Sequence, residues 1–181
     1  MTPYTYRIKV ESKLWLITSC ILLLFMGCHS TQIIDNKFLN PQSFYKITLP
    51  DESWERVKVN NEDLAMRNKH NNATFAIISH NTNTNKATLD ALYKQLFIGI
   101  KRKSILEKQY VYVDHRRALN IVLEGVLDDF KVKISAYIIN SSDFIYDIIY
   151  WSTPDKFDTS IDDFERVVKS FKFITHQTEQ L

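Results

Sequence analysis

The run Phe130-Lys131-Val132-Lys133-Ile134-Ser135-Ala136-Tyr137-Ile138 sets Phe130, Val132, Ile134, Ala136 and Ile138 against Lys131, Lys133, Ser135 and Tyr137. Side chains alternate across a strand, so this period of two puts the five apolar residues on one face. β-rich runs flank it at 105–113, 118–127 and 144–151, separated by Asp114-His115, Asp128-Asp129 and Ser141-Ser142-Asp143. Connections of two or three turn-forming residues leave no room for a crossover, so the four runs read as an antiparallel meander.

Before the meander, Leu89, Leu92, Tyr93, Leu96, Phe97 and Ile100 recur at helical spacing behind Thr88, whose hydroxyl suits an N-cap. Asp90 near the start of this helix, and Lys101, Arg102 and Lys103 at its expected end, complement the macrodipole. Further upstream, Tyr45, Ile47 and Leu49 alternate with Lys46 and Thr48 until Pro50-Asp51 stops the run. Short strands are expected at 57–59 and 64–68 around Asn60-Asn61, and at 74–79 before an Asn-rich loop at 80–85. A closing helix over 160–170 carries the stripe Ile161, Phe164, Val167, Val168, with Thr159 or Ser160 as cap. Strands, helix, strands, helix is the order of an α+β domain: a mainly antiparallel sheet of about six to seven strands with helices packed on it.

The 181 residues are 45% hydrophobic, 13% aromatic and 24% charged, a composition that fits one ordered domain and excludes a disordered tail or a multidomain enzyme. Lys and Arg number 23 and Asp and Glu 21; setting aside Arg7, Lys9, Lys13 and Glu11, which precede a removable hydrophobic run, leaves 20 of each. A neutral domain has no net field to attract phosphate backbones, so nucleic-acid binding is not expected.

That hydrophobic run, 14–26, follows three basic residues and is shorter than the roughly 20 residues a membrane-crossing helix needs, so 1–27 reads as a signal peptide. Both cysteines lie here. Ile17-Thr18-Ser19-Cys20 and Leu24-Phe25-Met26-Gly27-Cys28 each look like the box that precedes a lipidated cysteine. Cys28 is favoured as the lipidation site, because it leaves a hydrophobic region of proper length and polar sequence at once after it. An ordinary secretory signal and a short uncleaved anchor are the alternatives. With Cys28 first in the mature chain, no thiol remains for a disulfide, a nucleophile or a thiolate metal site. Residues 28–42 are then expected to be a flexible tether, 43–174 the globular domain and 175–181 a polar tail.

Chemistry-bearing motifs are scarce. Gly99 and Gly125, the glycines after Gly27, lie in no phosphate-cradling loop or nucleophile elbow. His29, His70, His80, His115 and His176 never recur at metal-ligand spacing, so no metal and no cofactor are expected. Asp128-Asp129 and the group Asp155, Asp158, Asp162, Asp163 fall where turns and helix starts ordinarily carry carboxylates. Tyr110, Tyr112, Tyr137, Tyr146 and Tyr150 could line a cleft, although aromatic residues are also ordinary core filler in strands. The best partner-binding candidate is Asp114, His115, Arg116 and Arg117 on one hairpin connection, taken with Lys101, Arg102 and Lys103, against the bland alternative of a solvated turn and a helix end.

Phe44-Tyr45-Lys46-Ile47-Thr48-Leu49-Pro50-Asp51-Glu52-Ser53-Trp54 resembles the opening strand, Leu-Pro and Trp of the PsbP-like superfamily. The stretch Phe164-Glu165-Arg166-Val167-Val168-Lys169-Ser170-Phe171 is similar to that superfamily's closing helix with its Ser-Phe signature. The resemblance spans 44–174 and implies an α/β/α sandwich, shared by a photosystem II extrinsic protein, a Ran-binding nuclear import factor and small bacterial lipoproteins. It also implies a binding or assembly module with no catalytic residue to carry over. The expectation is therefore a monomeric, non-catalytic binding or scaffolding domain, lipid-anchored in a bacterial envelope, facing the periplasm and meeting a protein partner there. His29 rather than Asp after Cys28 favours the outer membrane. A periplasmic small-ligand carrier, and then a small hydrolase, are the rival readings.

Overall fold

The computed structural model describes residues 32–59, 62–82 and 87–174. Residues 1–27 read as the signal peptide, Cys28, the Asn60-Asn61 turn, residues 83–85 of the Asn-rich loop and the polar tail lie outside these described residues.

The meander forms as its alternation requires. β7 (Lys101–Val113), β8 (Arg116–Leu127), β9 (Phe130–Asn140) and β10 (Phe144–Ser152) pair in sequence, each antiparallel to the next. β10 continues onto β6 (Thr74–Asn81), then β5 (Leu64–Asn68) and β4 (Trp54–Arg56), giving a seven-stranded sheet ordered β4-β5-β6-β10-β9-β8-β7. Asp114 and His115, and likewise Asp128 and Asp129, all have positive φ. That is the signature of the two-residue turns whose twist matches the flanking strands, made here without glycine.

Helix α1 (Leu89–Leu96) covers one face, packing Leu92 and Phe97 over Leu119, Ile121, Ile134 and Ile138. Its cap is the expected one: Thr88 Oγ1 accepts from the Ala91 amide at 3.2 Å. Its end is not. The apolar spacing runs on to Ile100, but Phe97 already has non-helical dihedrals and Gly99 takes φ +97°. Lys101, Arg102 and Lys103, expected as the helix terminus, instead open β7, where Lys101 pairs with Val126.

Helix α2 (Phe157–Ser170) lies on the other face with a second, four-stranded sheet ordered β1-β2-β3-β11. Those strands are Gln32–Ile34, Lys37–Asn40, Tyr45–Thr48 and Lys172–Phe173. The main core sits between these layers: Tyr45, Tyr146, Phe164 and Phe171 are essentially inaccessible. Rings of Tyr45 and Phe171 stack at 5.0 Å, and those of Tyr150 and Phe164 at 5.3 Å. The result is an α/β/α sandwich.

Two further expectations are corrected. A flexible tether is expected over 28–42, yet 32–40 forms a hairpin, because Phe38 is fully buried against Tyr45 and β2 pairs with β3. Helix α2 begins a turn earlier than the Thr159 or Ser160 cap implies. Phe157 is buried edge-on against Tyr150 and draws that turn into helix, with Lys156 at the N-cap and no side-chain cap bond. The Ser160 hydroxyl accepts from Asn71 instead.

Candidate functional site

Sheet alternation decides which residues face α2. Two cross-strand rows do so: Gln109–Asn120–Tyr137 and Glu107–Val122–Ser135. In the neighbouring positions the same strands turn Leu119, Ile121, Ile134 and Ala136 toward α1. The first turns of α2 stand over these rows with Phe157, Asp158, Ile161 and Glu165, and between them lies an open cleft of about 380 Å³. A cleft of this size takes a small ligand or one side chain of a partner.

Its lining is polar where a core would be apolar. Asn120 and Ser135 are 3% and 1% exposed. Gln109 Nε2 donates to Asn120 Oδ1 at 3.3 Å, and Asn120 Nδ2 reaches the Ala136 carbonyl at 3.5 Å, so this amide is held loosely. Among the described residues the Ser135 hydroxyl has no hydrogen-bond partner. Tyr137 Oη donates to Glu165 Oε2 at 2.8 Å and Oε1 at 3.0 Å. Burial, then the bond to Glu165 and the charges of Glu165 and Glu107, push the Tyr137 phenol far above its ordinary range. It is therefore neutral at physiological pH and serves as a donor. Lys133 Nζ lies 3.4 Å from Asp158 and 4.3 Å from the centre of the Phe157 ring. With Glu107, Asp158 and Glu165 against Lys133, the cleft carries a net negative charge. No histidine lines it, and among the described residues no carboxylate or amine is hydrogen-bonded to the Ser135 hydroxyl in the manner of a nucleophile and its base. Chemically the arrangement can bind, and its acceptors favour a donor-rich, positively charged guest.

The residues expected to form one partner-binding surface are split. Lys101, Arg102 and Lys103 sit at one end of β7, and Asp114, His115, Arg116 and Arg117 at the other, roughly 35–40 Å away at about 3.3 Å per residue. Consecutive arginines fall on opposite faces: Arg116 lies 4.3 Å over Phe173 and Arg117 3.9 Å over Tyr110. Asp114 is an internal strut, accepting from Lys172 Nζ and the Phe173 amide, both at 2.8 Å. Partial burial raises its pKa, but Lys172 and that amide outweigh it and hold the carboxyl below its ordinary value. Lys103 Nζ caps the Phe97 carbonyl at 3.0 Å.

Of the five strand tyrosines, Tyr146 and Tyr150 are core, Tyr110 and Tyr112 are exposed on β7, and Tyr137 alone of them borders the cleft. The acidic groups are mostly structural, Asp163 for example accepting from Trp54 Nε1 at 2.9 Å. Asp147 differs. It stands on the α1-covered face between Ile138 and Ile78, 3.8 Å from His80 Nε2, and burial, only partly offset by His80, pushes its pKa up to about 6. Among the described residues no three acidic, His or Cys side chains gather closely enough to hold a metal ion.

Sequence reading missed the cleft because its residues come from three strands and a helix. A signal was nonetheless present. Asn120 interrupts an apolar run, and Ser135 lies between Ile134 and Ala136, each a small polar residue facing the side where α2 packs.

No family model matches the chain, and no curated protein matches its sequence. Solved structures do match its fold. Cyanobacterial PsbP (CyanoP) from Synechocystis sp. PCC 6803 superposes with a TM-score of 0.59 at 14% identity, over 82% of this chain and 95% of that one. LpqN, involved in cell envelope biogenesis of Mycobacterium tuberculosis, gives 0.60 at 8% identity, over 75% and 87%. A protein from Bacteroides thetaiotaomicron VPI-5482 gives 0.58 at 10% identity, over 78% of this chain and 49% of that one. The fold is PsbP-like.

Proposed function

We propose that this chain is a lipid-anchored protein of the bacterial cell envelope whose PsbP-like domain binds a partner or ligand, without catalysis, in the cleft between α2 and β7–β9. The observation that carries the reading is the cleft itself: a concavity of about 380 Å³ lined by buried, loosely bonded polar groups, with no nucleophile and base in contact. The envelope assignment rests on the basic segment, the hydrophobic run at 14–26 and Gly27-Cys28. It is supported by the likeness to LpqN, whose role is in envelope biogenesis. Two or more acyl chains on Cys28, at about 0.8 kcal/mol per buried methylene, make such an anchor effectively stable. β1 begins at Gln32, only four residues beyond Cys28, which would keep the domain close to the bilayer.

Mass spectrometry of the mature N-terminus tests the anchor. A diacylated or triacylated Cys28 is expected, and Cys28→Ser should move the protein out of the membrane fraction. An unmodified Cys28 downstream of an intact 14–26 segment would end the lipoprotein reading.

A further inference from the structure

We propose that the cleft takes a primary ammonium group carried on a short alkyl chain, the chemistry shared by a lysine side chain and a free aliphatic diamine. The inference rests on reading this cleft as the binding site and specifies its guest.

Three observations select that chemistry. The first is charge. Glu107 and Glu165 flank the Tyr137 phenol, and both raise its pKa by their charge. Lys133 is already engaged by Asp158 and the Phe157 ring. Glu107 makes no ion pair or hydrogen bond among the described residues, and Glu165 receives only the Tyr137 hydroxyl. Two carboxylates at one concavity, short of counter-charge, favour a cation over a neutral or anionic guest.

The second observation is hydrogen-bond capacity. An ammonium offers three donors and no acceptor. Ser135, 1% exposed and without a partner, faces the cleft with an acceptor oxygen, and Asn120 Oδ1 is held by one long bond. The Ser135 oxygen opens onto the cleft, so a guest ammonium can bond it directly in place of solvent.

The third is shape. Val122 on the floor and Ile161 on the α2 wall supply an apolar collar for methylenes beside the acidic groups, and the volume lies at the small end of ligand sites. A bare metal ion does not fit the same groups, since no three of them converge.

Isothermal titration of the full chain in mild detergent, at low salt and pH 7, tests this with three probes. They are 1,5-diaminopentane, Nα-acetyl-lysine amide and, as the uncharged analogue, 1,5-pentanediol. At least one amine should bind at least tenfold more tightly than the diol, and Glu107→Gln with Glu165→Gln should abolish that preference while circular dichroism shows an unchanged fold. Binding confined to diaminopentane assigns a free diamine, and binding by the lysine amide assigns a side chain of a partner protein. Binding by neither amine, equal binding of the diol, or preference surviving in the double variant overturns the proposal. These readouts do not depend on whether Cys28 carries lipid.

Discussion

Replacing Asp147 by Asn should make the protein more stable at neutral pH and leave it nearly unchanged in mild acid. Asp147 is 7% exposed and stands among isoleucines, and this burial, only partly offset by His80, the one charged group beside its carboxylate among the described residues, raises its pKa to about 6. In the unfolded chain a carboxylate titrates near ~3.9. The folded state therefore holds the proton more tightly than the unfolded state between these values, and stability falls as pH rises from about 4 through 6. The whole gap corresponds to roughly 3 kcal/mol, of which about 2 kcal/mol falls between pH 4.5 and 7.5. An amide of the same shape does not ionise, so the variant lacks that loss. Urea unfolding of both proteins at half-unit steps from pH 4.5 to 7.5 isolates the effect of Asp147 together with its partner His80, because titrating groups remote from this pair cancel in the difference. The expected result is a gap in favour of Asp147→Asn that widens by about 2 kcal/mol across the window, or on the order of 4–8 °C in melting temperature. Parallel curves would refute the reasoning and show Asp147 to be ionised in the folded state at little cost.

Gly125→Ala should destabilise by about 1–3 kcal/mol, since the added Cβ would lie 2.4 Å from Ile100 Cγ2 and 3.0 Å from the Lys101 carbonyl where β7 begins; an unchanged thermal midpoint would show that this junction yields freely. Asp114→Ala should cost about 1–2 kcal/mol by removing the acceptor that joins the β7–β8 hairpin to β11, read as faster amide exchange at Phe173 in NMR. The same Asp114 contribution should fade as acid protonates its lowered carboxyl, so wild type and Asp114→Ala should converge as pH falls below the ordinary carboxylate range.

What the sequence made legible was whatever its local pattern controls. β9 was readable because every second side chain from Phe130 to Ile138 is apolar, and α2 because Phe164, Val167 and Val168 share a stripe. Where tertiary contacts decide, pattern misled. Lys101, Arg102 and Lys103 continue an amphipathic spacing and look like a helix end, but pairing with β8 takes them into a strand. The 32–40 hairpin has one deeply buried apolar side chain, Phe38, and Ile33 and Ile34 are exposed, so nothing in its alternation announces a strand pair. The cleft was hidden for a related reason: Glu107, Asn120, Ser135 and Glu165 are distant in sequence and meet only once the register of three strands and the placement of α2 are fixed.

The outer rim of β7 bears on how crowded copies behave. A thirteen-residue strand at the margin of a sheet offers unpaired backbone groups to any other strand, and it carries the exposed side chains of Ile105, Leu106, Tyr110 and Tyr112. Its register with β8 slips twice, between Lys101 and Ser104 and between Ile105 and Glu107, and Arg102 has a positive φ. A second molecule approaching this rim meets a ladder out of phase and three positive charges, Lys101, Arg102 and Lys103, gathered at one end. The opposite margin, β4, is only three residues long. Edge-to-edge pairing of crowded copies is thus disfavoured along 101–106, where the rim is out of register, and along β4, which is too short to make a ladder.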